Sequence, residues 1–188
     1  MTAERTDITI APIHGHAPQI HSSAFIAPGC RIIGNVEIGP DVSIWYNCVI
    51  RADVNRIVIG ARTNIQDGTA VHCDSPTPEH PEGFPTIIGE DVLIGHMAMI
   101  HGCTLESRAF VGLGTIVMDG CVIESEGMLA AGAMLTPGKK ISARQLWVGR
   151  PAKHLRDLDD KAVAANMRGV TGYVRNGKDH AAALGLGR

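Results

Sequence analysis

Aromatic side chains are scarce in this sequence: two Trp, two Tyr and three Phe among 188 residues. That scarcity argues against a bulky core and leaves a thin interior to be built from Ile, Val, Ala and Gly. The chain also lacks a surplus of either charge, with 17 Lys and Arg against 19 Asp and Glu. Nothing in that balance calls for a nucleic-acid or membrane partner. No apolar run approaches the roughly 18 residues that a spanning helix needs, and the opening MTAERTDITI has no apolar signal core. These absences predict a soluble, cytoplasmic protein. Five cysteines occur without a C-x-x-C pair, so the dithiol motif is missing too.

What the sequence has is repetition. Aliphatic residues fall every six positions at Ile26, Ile32, Ile38, Ile44 and Ile50, then at Ile59, Ile65 and Val71, then at Ile88, Ile94 and Ile100. A further run takes in Leu105, Val111, Val117, Ile123, Leu129, Leu135 and Ile141. Two positions earlier sits a small or β-branched residue, as at Ala24, Val36, Thr63 and Ala98. In an extended segment i and i−2 share a face, so both point inward. Cys30, Cys48, Cys103 and Cys121 occupy this inward slot and read as compact apolar residues. Cys73 falls outside it and receives no role. Glycine follows the aliphatic at 39, 60, 89, 95 and 112, where tight corners are expected.

Short strands and corners repeating in sixes describe an all-β solenoid with parallel strands. The pattern resembles the hexapeptide repeat of left-handed β-helices, which implies a triangular prism with three hexapeptides, about 18 residues, per coil. Residues 1–150 then form a left-handed parallel β-helix domain with an N-terminal lead-in and a loop near 74–86. Residues 151–188 form a C-terminal α-helix and tail packed on the prism. Leu155, Leu158, Ala162, Val163, Asn166, Met167 and Val170 supply the helical period, with Asp159 as N-cap and Gly169 or Gly172 as the end.

This register gives three histidines a shared meaning. His72 and His101 directly follow the inward residues Val71 and Ile100. If residues 72–87 loop out once, the successive sides run 71, 88, 94 and 100, so the two histidines stack one coil apart, about 4.8 Å. Arg51, following Ile50, stands on the same face one coil below. His96 lies out of phase in VLIGHMAMIHGC, and five extended residues separate it from His101 by about 16 Å. A neighbouring prism can supply it to the other pair, which predicts an oligomer with sites between subunits. Three neutral imidazoles with an open fourth position form a catalytic zinc site, and iron or cobalt suits the same donors. His14, His16, His21, His80, His154 and His180 have no periodic relation to the three.

The segments RADVNRIVIGARTNIQDGTAVHCD and IGHMAMIHGC are similar to the gamma-class carbonic anhydrase family. The resemblance implies a homotrimer with His72, His96 and His101 as metal ligands, two from one chain and one from its neighbour. It further implies that Gln66 hydrogen-bonds metal-bound hydroxide or bicarbonate, and that Arg51 and Asp53 form an interface ion pair with Asp67 as partner. The reaction implied is the reversible hydration of carbon dioxide. The family position after Asp53 can be a glutamate that relays protons; here it is Val54. Asp74, Glu79, His80 and Glu82 are the titratable residues of the nearby loop. Two alternatives stay open: a metal-binding relative with weak or no hydration, acting on another carbonyl or thioester or serving assembly, and a coenzyme-A-dependent acyltransferase on the same prism.

Overall fold

In the computed structural model, which describes residues 7–186, the hexad aliphatics line a continuous core. Residues 1–6 and 187–188 of the two predicted spans lie outside the described residues. Ile32, Ile44, Ile50, Ile65, Ile94, Ile100 and Leu129 are sealed from solvent, and the i−2 residues Cys30, Thr63 and Val92 are buried beside them. All five cysteines are free and buried, Cys73 included, and burial pushes its thiol up.

The chain folds as a left-handed β-helix with three faces. The first face stacks Phe25–Ile26, Ser43–Ile44, Asn64–Ile65, Leu93–Ile94, Phe110–Val111 and Met128–Leu129 in parallel register, and Gln145–Val148 closes it. Antiparallel Lys153–Asp157 then pairs with that closing strand. On the second face Ala70–His72, Met99–His101, Ile116–Val117 and Met134–Leu135 stack in the same way, and the third carries Thr86–Ile88, Thr104–Leu105, Val122–Ile123 and Lys140–Ile141. The long strand Val49–Ile59 bends round the corner between the last two faces, pairing with Ala70–His72 at its start and Thr86–Ile88 at its end.

The corners are made differently from the expectation. Positive φ falls three residues after the aliphatic, at Asp41, Asn47, Arg62, Asp91, Met97, Arg108, Glu126 and Arg144, with glycine at the other corners. The glycines directly after the aliphatics serve close approach instead. A Cβ on Gly60 would stand 2.6 Å from the Gly89 carbonyl carbon, and one on Gly95 2.5 Å from the Leu113 nitrogen, so successive coils could not stack.

The loop after His72 is tied down by backbone pairing of Asp74 with Phe84 and by the Asn55 amide, which donates to the Asp74 and Glu82 carbonyls at 2.9 Å each. Beyond the prism, helix α1 spans Asp160–Ala183, with Asp159 as N-cap accepting from the Ala162 amide. It passes through Gly169 and Gly172, correcting the predicted end, and Leu155 lies in the preceding strand. Its glycines are contact points: a Cβ at Gly169 would meet Leu93 at 3.0 Å, and one at Gly177 would meet Ser43 at 3.3 Å. α1 therefore lies along the first face and buries the outward-pointing Phe25, Ser43, Asn64 and Leu93. Covering Phe25 and Leu93 contributes about 1.5–3 kcal/mol each. Among the described residues no helix is long and apolar enough to cross a membrane.

Candidate metal centre

His72 and His101 are direct partners in the parallel ladder of the second face. Their rings stand 5.0 Å apart between centroids, with Nδ1 of His72 3.0 Å from Nε2 of His101. Each far nitrogen meets a carboxylate: Nε2 of His72 lies 2.9 Å from Asp53, and Nδ1 of His101 lies 2.6 Å from Asp119. A carboxylate only accepts, so each of these far nitrogens carries the proton. In the neutral rings the two nitrogens that face each other both hold lone pairs. Such a contact repels unless a cation lies between them. Two nitrogens on a tetrahedral zinc are about 3.3 Å apart, close to what is seen.

The carboxylates are themselves set by the fold. Burial raises the Asp53 carboxyl, but the His72 ring and the Arg51 guanidinium outweigh it and hold the pKa down to about 2. Arg51 forms an ion pair with Asp53 and sits one coil below His72, following from the pairing of Ile50 with Val71. Asp119 reaches His101 across Gly102, where a Cβ would lie 2.1 Å from its Oδ1. Asp119 was absent from the predicted site. Its signal was in the register, since it follows Val117 by two in the coil above His101.

His96 projects from the corner between the first and second faces, with Nδ1 2.7 Å from Asp67. It too keeps a lone pair, on Nε2, and its side chain is 46% exposed. Among the described residues no three His, Cys, Asp or Glu side chains converge as a metal site within the chain. The structure thus brings together His72 and His101, with Arg51 and Asp53 around them, and leaves His96 with Asp67 apart. Within the chain Asp67 serves His96 and not the Arg51–Asp53 pair.

Gln66 directly follows inward-facing Ile65 and is buried. Its Nε2 donates to Asn64 Oδ1 at 3.1 Å, while Asn64 Nδ2 is buried without a partner. Tyr173 on α1 joins this neighbourhood: burial pushes its phenol up, and the Asp67 charge adds to the shift. No sequence signal placed Tyr173, because the helix's rotation over the prism was unknown. Val54 is exposed and apolar. In the loop, Asp74 accepts from the Ser75 amide and His80 packs at a tilt against Phe84 with centroids 4.6 Å apart. Around this half of the molecule Val49, Met97, Met99 and Leu113 are all exposed.

The fold defines a hexapeptide-repeat prism protein, and comparison with known proteins agrees. Residues 17–52 match the family model described as bacterial transferase hexapeptide (six repeats). Gamma carbonic anhydrase 1, mitochondrial, of Arabidopsis thaliana is 42% identical over 93% of this chain and 63% of its own length. The carbonic anhydrase of Geobacillus kaustophilus is 40% identical over 90% of this chain and 89% of its own. A solved structure from Bacillus cereus, titled a putative acetyltransferase, superposes with a TM-score of 0.89 at 37% identity, covering 94% of this chain and 99% of that one. The chain belongs to the gamma carbonic anhydrase family. It spans about three fifths of the length of the Arabidopsis relatives.

Proposed function

We propose that the protein is a carbonic anhydrase that converts carbon dioxide reversibly to bicarbonate at metal centres shared between the subunits of a homotrimer. The observation that carries this reading is the pair of lone-pair nitrogens on His72 and His101, 3.0 Å apart, each ring fixed by its own carboxylate. His96 of the partner subunit completes the donor set. The exposed Val49, Met97, Met99 and Leu113 give the second face an apolar surface on which a subunit can pack. The donors suit zinc, and also iron or cobalt.

Zinc on three neutral imidazoles supplies Lewis acidity that brings the pKa of a water to about 7, a magnitude known from carbonic anhydrase of a different fold. The chain's own residues do the rest. Asp53, Asp67 and Asp119 hold a proton on the far nitrogen of each ring and so keep the near nitrogen a donor. Arg51 keeps Asp53 ionised in that role. Gln66, fixed by Asn64, orients bicarbonate through its amide. The proton released must leave by solvent buffer or the loop carboxylates, because Val54 offers no acceptor. Five unpaired, buried cysteines fit a cytoplasmic location.

The test is metal content per chain combined with carbon dioxide hydration by stopped flow. We expect one metal per chain and hydration that a chelator abolishes. A purified trimer without metal would contradict the reading. A metal-replete protein inert at every buffer strength would instead establish the second reading, a metal-binding relative without hydration, which the exposed Val54 favours.

A further inference from the structure

A cleft of about 720 Å³ runs between α1 and the corner that joins the third and first faces, remote from the histidines in sequence and using none of their partners. Four guanidiniums line it: Arg108 and Arg144 from the corner, Arg168 and Arg175 from α1. Its two acids are already engaged. Glu126 takes Arg108 at 2.6 Å and Arg144 at 3.5 Å, and Asp160 pairs with Arg144. Arg168 and Arg175 form no ion pair among the described residues, so the cleft holds two uncompensated positive charges. The whole chain carries −2, so this is a local concentration and not a general surplus.

The spacing narrows the ligand. Arg168 and Arg175 are seven residues apart on one helix, about 10.5 Å along its axis. Arg108 and Arg144 each follow a stacked aliphatic by three, Leu105 and Ile141, two coils or about 10 Å apart. The cleft itself is longer, since Asp160 and Arg175 both line it and stand about 22 Å apart along the helix axis; the two guanidiniums without an ion pair are about 10.5 Å apart within it, and one phosphate reaches only one of them. Val163 and Met167 give an apolar floor, and the space beside Gly172 is open, with nothing within 4 Å of where a Cβ would stand. Guanidinium forks match phosphate oxygens, and two such contacts in series favour a chain of them.

We propose that this cleft binds a linear chain of phosphates, carried by inorganic polyphosphate or by a nucleoside triphosphate. Calorimetric titration of the intact protein with tripolyphosphate, ATP and inorganic phosphate, with magnesium in excess, tests it. The expected result is saturable binding of the two phosphate chains, weakened by salt, and no saturation by single phosphate over the same range. Arg168→Ala with Arg175→Ala should weaken binding at least tenfold while leaving the fold intact, since both residues are exposed and Ala is the best helix former. Arg156→Ala, elsewhere on the surface, should change nothing. Tighter ATP than tripolyphosphate binding assigns the floor to the base, and equal binding assigns the inorganic chain. Absence of binding, unchanged affinity in the double variant, or loss of binding in His72→Ala instead would overturn the proposal.

Discussion

The first and second faces of the prism are built from the same repeat, yet they end differently. On the first, the outward residues Phe25, Ser43, Asn64 and Leu93 are buried because α1 lies over them. On the second, the equivalent outward residues Val49 and Met99 are exposed, at 39% and 51%, beside Met97 at 71%. One face is covered within the chain; the other stays open. The histidines proposed as ligands follow the same division. His72 and His101 sit on the open face, His96 at its edge, and Gln66 is buried beside Asn64.

The largest expected effect comes from the open face's own chemistry. His72→Ala or His101→Ala should remove nearly all bound metal, read by elemental analysis, because a two-imidazole remnant cannot hold it. Replacement of His14, His80 or His180 should leave metal content unchanged. Next comes a direct contrast of the faces. Leu93→Ala, beneath α1, should lower chain stability by about 2–4 kcal/mol in denaturant unfolding. Met99→Asp on the open face should instead split the assembly, seen by light scattering, with little change in the stability of the single chain.

A smaller effect is expected at the carboxylate that sequence reasoning missed. Asp119→Asn should weaken metal affinity about 10–100-fold without abolishing it, measured by competition with a chelator. The smallest concerns proton export. Hydration should be slow in dilute buffer and rise with an imidazole-type buffer, and Val54→Glu should raise the dilute-buffer rate a few-fold while leaving the buffer-saturated rate alone.

The prism was legible because its signal is repeated many times. A single slip in phase would have exposed Ile44 or Ile100, so the aliphatic spacing carried the register and with it the His72–His101 stack. The corner glycines were misread because spacing does not separate a need for positive φ from a need for room; Gly60 and Gly95 need room. The helix end was misplaced for a related reason. Gly169 and Gly172 look like terminators, but packing on the first face outweighs the roughly 1 kcal/mol that each glycine costs a helix. The approach of Tyr173 to Asp67 depends on where α1 docks, which no local pattern records.

Mixing two defective chains tests the shared site most directly. His96→Ala and His101→Ala proteins, each prepared alone, should both lack metal. Unfolded together and refolded with zinc, they should recover about a quarter of the wild-type metal, since random assembly sets an intact His72–His101 pair against an intact His96 in about one interface in four. Hydration activity should return in the same proportion. A mixture that stays metal-free, or a His96→Ala protein that holds its metal unaided, would contradict a centre divided between subunits.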